Sequence, residues 1–444
     1  MRYRLALLFV AILVAASLGS GLLGPGGVAS GQDPPPEQLI RPAEAESYVW
    51  PYTSRSHSVE GRTLALNVVI VGTPDDVRTI LMDRSELEWT TADEDHSVND
   101  TVSIADINES LQRSQDNESG SQAQLDGSGS LGQLNESVSI SPWQTARGSS
   151  RYTYVADNLS SGEWVEADYQ LATGAYLGSR THIRAYPGPS DNWTALQAHT
   201  EYWDWFRLRH SVTGISEGGR TVERDLRDEP FVAEVNRVYH GNGGGGSDGW
   251  LSVIRLTSAN WSLVPSASAE ESTERPSSTT LGVVGIVPAA AVLAVAASPV
   301  RRRDLRELRD LALPIALIAL VLGVRSLGIV AEGVFPATNP KVFAGLLYPV
   351  LVAGPLVASW ILARNRPATR IALLAAVGLG AGFVLDLGSV GVSVVPIQLV
   401  LQRTALMGTL GLFTLGVADG DRQLAGIGVV LWLGVLAATL LGMV

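Results

Sequence analysis

Residues 301–331 read RRRDLRELRDLALPIALIALVLGVRSLGIVA. Arg301, Arg302, Arg303, Arg306 and Arg309 stand directly before an apolar run whose one charge is Arg325. A run of about 20 such residues crosses the hydrocarbon core as a helix, and a basic cluster at its end stays on the cytoplasmic side. Comparable runs follow at residues 342–361, 369–387, 392–416 and 424–443, and another precedes the cluster at 281–299. With 312–331 these make six transmembrane helices in residues 281–444. Five or seven remain open counts, because the break at residues 388–391 is very short. Arg364, Arg366 and Arg370 fall on the same side as the first cluster. This topology leaves residues 31–280 outside the cell in a multi-pass protein of the cell membrane.

Charge follows the same division. Residues 31–280 hold 18 basic and 37 acidic residues, a net −19, while residues 281–444 hold 12 basic and 7 acidic, a net +5. So acidic a segment repels nucleic acid, whose binding depends on neutralising phosphates. Lys341 is the only lysine beside 31 arginines. That usage, with its acidic excess, resembles proteins of salt-loving archaea, in which acidic surfaces stay hydrated while salt screens their repulsion. Codon bias on an ordinary acidic domain is the competing account. The chain has no cysteine, which removes disulfides, thiolate nucleophiles and Cys-based metal sites.

Residues 1–30 place Arg2 and Arg4 before an apolar run and small residues ending at Ser30, the order of a secretory signal peptide. An uncleaved anchor is the alternative. Residues 31–59 form an extended polar lead-in. An α+β extracellular domain is expected over residues 60–262, joined through a polar stalk at 263–280 to the all-α polytopic transmembrane domain. The domain opens with a buried strand at 63–71. A helix follows to residue 82, with Thr73 as N-cap, Pro74 at its first position and Asp75 and Asp76 in its first turn. Residues 92–140 are a low-complexity insertion. Strands are expected at 151–155, 164–171, 181–186, 231–239 and 250–256, and residues 201–213 continue the sheet. Gly218 and Gly219 turn the chain into a charged helical stretch at 220–228. Seven Asn-x-Ser/Thr sequons, at Asn99, Asn108, Asn117, Asn135, Asn158, Asn192 and Asn260, all lie in this half, as expected of a glycoprotein.

Several segments carry a family resemblance: His182-Ile183-Arg184, then Trp205-Phe206-Arg207-Leu208-Arg209-His210, then Glu223-Arg224-Asp225-Leu226. With the opening Asn67-Val68-Val69-Ile70-Val71-Gly72, they make residues 178–228 resemble the C-terminal domain of the LssY family of envelope proteins. The chain departs from that pattern at His210, which is followed by Ser211 rather than by a second histidine and an Ile-Asp-Pro run. The resemblance covers about half of the external domain. It implies a domain attached to membrane-embedded segments and brings no activity with it.

Three groups of residues are candidate sites. The densest aromatic stretch, Tyr202, Trp203, Trp205 and Phe206 with Arg207 and Arg209, has the chemistry to bind a sugar or an anionic headgroup. It equally suits a domain core in which arginine stems cover apolar neighbours. His182, His199 and His210 with Glu201, Asp204 and Asp225 offer metal-ligand chemistry, with His182, His210, Glu201 and Asp225 as the set to test. No short ligand spacing supports that set, so ordinary half-buried polar residues compete with it. Arg325, Asp386 and Arg403 are charges at membrane depth, where ionisable groups are costly and often functional. Arg325 and Asp386 are placed to pair, whereas Arg403 has no acidic partner at its depth.

The catalytic, phosphate-loop and cofactor motifs sought are missing, so no catalytic residue or cofactor is assigned and a non-enzymatic role leads. The first functional reading is an envelope protein whose external domain binds a surface glycan, lipid or protein. The second is a metal-assisted hydrolase of an envelope substrate. The third is transport or signal transfer through the membrane helices.

Overall fold

The aliphatic run before Gly72 forms β2 (Val68–Val71), buried along three of its four residues. Thr73 then caps α1 (Pro74–Thr79), its side chain accepting from the Asp76 N–H at 3.1 Å. A π-turn continues that helix through Ile80–Arg84. The computed structural model describes residues 10–17, 34, 36–42, 47–53, 64–92, 152–159, 161–189, 192–239, 247–257, 304–392 and 395–441. The insertion expected at 92–140, apart from residue 92, the stalk and the span expected at 281–299 lie outside the described residues.

The mixed α/β domain has three layers. Its central sheet of eight strands runs β10 (Val232–Tyr239), β11 (Trp250–Leu256), β2, β8 (Thr194–Asp204), β7 (Ser179–Pro187), β6 (Tyr169–Gly174) and β3 (Thr90–Thr91). The eighth strand, β9 (Arg209–Gly214), pairs with the second half of β8 along the edge whose first half pairs with β2. Among the described strands of this sheet only β2 and β11 run parallel; the other pairs are antiparallel. Period-two alternation sends successive residues of β8 to opposite faces. Leu196 and Ala198 face α1 and α2 (Ile215–Arg227), packing with Val77, Ile80, Leu81, Val222 and Leu226. Ala195 faces a second sheet of β1 (Tyr48–Val49), β4 (Tyr152–Asn158) and β5 (Ser161–Glu166), packing with Val49, Val155 and Trp193.

Two local readings are corrected. The expected single strand at 164–171 is two, β5 and β6, in different sheets. Gly218 and Gly219 lie inside α2 rather than in a turn before it. Their role is close approach: a methyl at Gly218 would stand 2.4 Å from the His199 backbone, so the missing side chain lets the helix sit against β8.

Five described helices are long and apolar enough to cross a membrane. They are α3 (Asp304–Val334, apolar from Asp310), α4 (Pro340–Leu362), α5 (Ala368–Ser389), α6 (Ile397–Asp419) and α7 (Arg422–Leu440). α3 packs on α4 and α5, and α6 on α5 and α7. Glycine again brings backbones together: a methyl at Gly378 would lie 2.4 Å from Pro314 Cα. At one end of the bundle Asp310 pairs with Arg366 at 3.0 Å and Arg370 at 3.3 Å. The α/β domain sits at the other end. The segment read as signal peptide or anchor is helical over residues 10–17, and its Val10 packs with Ala372, Leu412, Leu415 and Leu424 of the bundle.

Candidate functional site

The two halves meet through two reverse turns. The turn between β6 and β7 covers residues 175–178, and that between β8 and β9 covers residues 205–208. Leu177, Trp203, Trp205 and Phe206 share one buried cluster with Leu313, Leu317, Val321, Val324 and Phe383 of the helices. Trp205 lies against Gly328, where a methyl would come within 2.6 Å of its ring. Phe206 meets Phe383 edge-on, with centroids 5.0 Å apart. Tyr202 packs with Leu387 and Val390 at the end of α5. Leu208 closes the second turn at φ 49°, in the left-handed region that non-glycine residues seldom occupy.

Polar groups of the helices complete the joint. Arg325 donates to both Asp386 carboxylate oxygens, to Leu177 O at 3.1 Å and to Trp203 O at 3.1 Å. One guanidinium therefore ties two helices to the first turn and to the end of β8. Glu332 accepts the successive N–H groups of Tyr176 (2.6 Å) and Leu177 (2.9 Å). Arg403 pairs with Asp204 at the end of β8, its guanidinium carbon 4.4 Å above the Phe206 ring. Thr439 donates to Phe206 O at 3.2 Å. Burial alone would raise the Asp204 carboxyl. The Arg403 and Arg207 charges and the Phe206 N–H outweigh it and hold Asp204 below its ordinary 3.8. Asp204 Oδ2, Arg403 Nη1 and both side-chain polar atoms of Gln402 are buried without a hydrogen-bond partner among the described residues.

The aromatic residues expected to bind a surface component thus lie against the bundle. Tyr202, Trp203 and Trp205 are buried, and Arg207 and Arg209 are half-buried beside them. Arg325 and Asp386 pair, and Arg403 has as its partner Asp204, from the other half of the chain. Hydropathy could not supply that partner, because Asp204 belongs to a polar segment and reaches the helices only through the fold. Of the sequons, Asn158 and Asn192 are exposed; Asn99, Asn108, Asn117, Asn135 and Asn260 lie outside the described residues.

A second polar group occupies the sheet face between this joint and the small sheet. Cross-strand pairing sets Arg184 opposite Gln197, His182 opposite His199 and Arg180 opposite Glu201. His182, His199 and Glu201 are buried, and each offers a ligand atom within 4.8 Å of the others. His199 Nε2 is 3.1 Å from Glu201 Oε2, and its Nδ1 is 2.9 Å from Gln197 Oε1. Arg180 donates to the other Glu201 oxygen at 2.6 Å. Burial pushes both imidazoles below their ordinary 6.5, with Arg184 and Arg180 adding to the shift against the pull of Glu201. The Glu201 carboxyl lies well below 4.5: burial opposes this, and the His199 hydrogen bond and neighbouring imidazoles prevail.

The other expected ligands stand elsewhere. His210 Nε2 faces Tyr176 O at 2.9 Å, and its Nδ1 lies 3.3 Å from Arg180. Asp225 accepts from Leu87 N at 2.9 Å and Trp89 Nε1 at 2.8 Å on the helical side of the sheet. Glu223 is taken by Arg227, Arg237 and Ser252. The signal that would have favoured His199 over His210 is spacing: residues two apart on a strand share a face, and 199 and 201 are such a pair. The chain matches no family model, no curated protein and no solved structure.

Proposed function

We propose that this is a multi-pass envelope membrane protein whose α/β domain lies outside the cell and transfers its conformational state to the helices. One observation carries the reading. Arg325 and Arg403, both buried in apolar helices, reach into the α/β domain: Arg325, paired with Asp386 of α5, also donates to Leu177 O and Trp203 O, and Arg403 pairs with Asp204 at the end of β8. A bundle that only anchored the domain would not need charges committed to it, since charges at such depth are costly. Orientation follows the basic-inside rule, with Arg366 and Arg370 at the end opposite the domain. The stretch resembling the LssY C-terminal domain holds the second contacting turn, which fits a domain built to sit on membrane segments. A surface glycan, lipid or protein would act from a part of the domain other than the Tyr202–Arg209 stretch, which the helices cover.

Hydrogen exchange on the detergent-solubilised full chain tests the transfer. In Asp204→Asn, faster exchange is expected both in residues 203–210 and in the first turns of α6 around Arg403. Unchanged exchange in α6 and α3 would show that the helices do not sense the domain, and the reading would fall.

A further inference from the structure

The geometry points to a divalent transition-metal site of the zinc class on the sheet face, with His182, His199 and Glu201 as its protein ligands. His199 and Glu201 lie two apart on β8, and His182 stands directly across on β7, so three ligands converge without any loop. Two imidazoles and one carboxylate suit zinc, cobalt or nickel better than calcium or magnesium, which take oxygen ligands. Arg180 and Arg184 nearby disfavour a purely ionic guest, and this too selects an ion with partly covalent bonds to imidazole.

The distances come close to what such an ion requires. Bonds of about 2.0–2.1 Å in a tetrahedral site separate neighbouring ligand atoms by roughly 3.3 Å. His199 Nε2 and Glu201 Oε2 are already 3.1 Å apart. His182 lies within 4.8 Å and closes the set by a shift of up to about 1.5 Å in a ring whose Nδ1 has no hydrogen-bond partner among the described residues. Three protein ligands leave a fourth position for water.

The supporting groups are also in place. Metal-ligating histidines donate their other N–H to an acceptor that fixes the tautomer, and Gln197 Oε1 stands 2.9 Å from His199 Nδ1. With Nδ1–H donated there, Nε2 presents a bare lone pair to Glu201 Oε2. Two acceptors 3.1 Å apart repel unless a cation is shared between them. The competing arrangement turns the Gln197 amide over, so that its NH2 donates to Nδ1 and Nε2–H donates to Glu201, with no metal required. Arg180 occupies the far oxygen of Glu201 and leaves Oε2 for the ion.

Titration of the metal-free full chain with Co²⁺ in detergent decides between the two arrangements. One equivalent should bind, with the intense visible ligand-field bands of a four-coordinate site, and Zn²⁺ should bleach them. His182→Gln and Glu201→Gln should each weaken binding about tenfold or more, and Gln197→Leu should weaken it in the same range through the lost support of His199. Wild type with no stoichiometric Co²⁺ or Zn²⁺ at micromolar concentration overturns the site, as does undiminished affinity in the His182 and Glu201 variants. Should those variants fail to fold, wild type alone still decides. A chelator must lower its unfolding midpoint and added Zn²⁺ restore it, because a ligand of the folded state alone stabilises it; an unmoved midpoint rejects the site. The hydrogen-exchange result on domain–helix coupling does not depend on this outcome.

Discussion

Asp204 and Arg403 show how much one residue pair can decide. Neither is stable where it lies without the other, since an unpaired charge in a buried site costs several kcal/mol. Replacing Asp204 by Asn is expected to destabilise the solubilised protein by about 3–5 kcal/mol in denaturant unfolding followed by tryptophan fluorescence. The double variant Asp204→Leu/Arg403→Leu should recover much of that loss, because removing both charges leaves no orphan. Additive losses would mean that the two residues are not coupled. The pH dependence follows from the lowered Asp204 carboxyl. A folded-state value below the ordinary 3.8 gives stability that is complete above the unfolded value and lost as pH falls through the folded one. The joint should therefore hold at pH 5 and weaken below about pH 4, and Asp204→Asn should lack that acid step. An acid step of the same size in the variant would assign it to another carboxylate.

Between elements, the separation of α2 from β8 is set by glycine. Gly218 meets the His199 backbone and Gly219 meets the Asn67 side chain, which itself bonds Ala198 N, Ala198 O and Ile215 O. Asn67 thus joins β2, β8 and the start of α2 through one amide. Helix propensity favours alanine over glycine by about 1 kcal/mol, so an exposed glycine in a helix gains from that change. Gly218→Ala is expected to do the reverse and lose about 1–3 kcal/mol in urea unfolding, because the added carbon meets backbone that cannot move aside. A neutral or stabilising result would show that the helix has room to lift. The two glycines read as a turn in one dimension because their value lies in what they leave out, and a neighbouring strand is not visible there.

At the scale of the whole molecule, the α/β domain and the bundle share one buried cluster, so neither half is complete alone. Detached, the domain would expose Leu177, Trp203, Trp205 and Phe206 together. Aromatic residues bury about 150–250 Å² each, which makes a patch larger than the few hundred Å² that soluble monomers usually show. Residues 31–280 expressed alone should therefore associate or need detergent in size-exclusion chromatography, and Trp205→Ser/Phe206→Ser should relieve this. A soluble wild-type monomer would contradict the shared core. With intact cells, added protease should reach residues 31–280 and spare the Arg364–Arg370 loop, and cleavage in that loop would invert the orientation.

The sequence by itself determined the five apolar helices, the polar domain before them and the capped start of α1. Each rests on local composition: length against bilayer thickness, charge beside a span, and a side-chain oxygen at a helix N-terminus. Residue types also marked Arg325, Asp386 and Arg403 as costly, and the histidines as possible ligands. Only tertiary structure decided what they meet. Arg403 finds Asp204 199 positions away, and the aromatic stretch, which reads equally well as a binding surface or a core, is covered by helices. His199 stands with His182 because β7 and β8 pair in one register, and a one-residue slip would turn those side chains to the opposite face. Partners separated by most of the chain leave no local pattern, since the desolvation that makes them necessary arises only when the two halves close on each other.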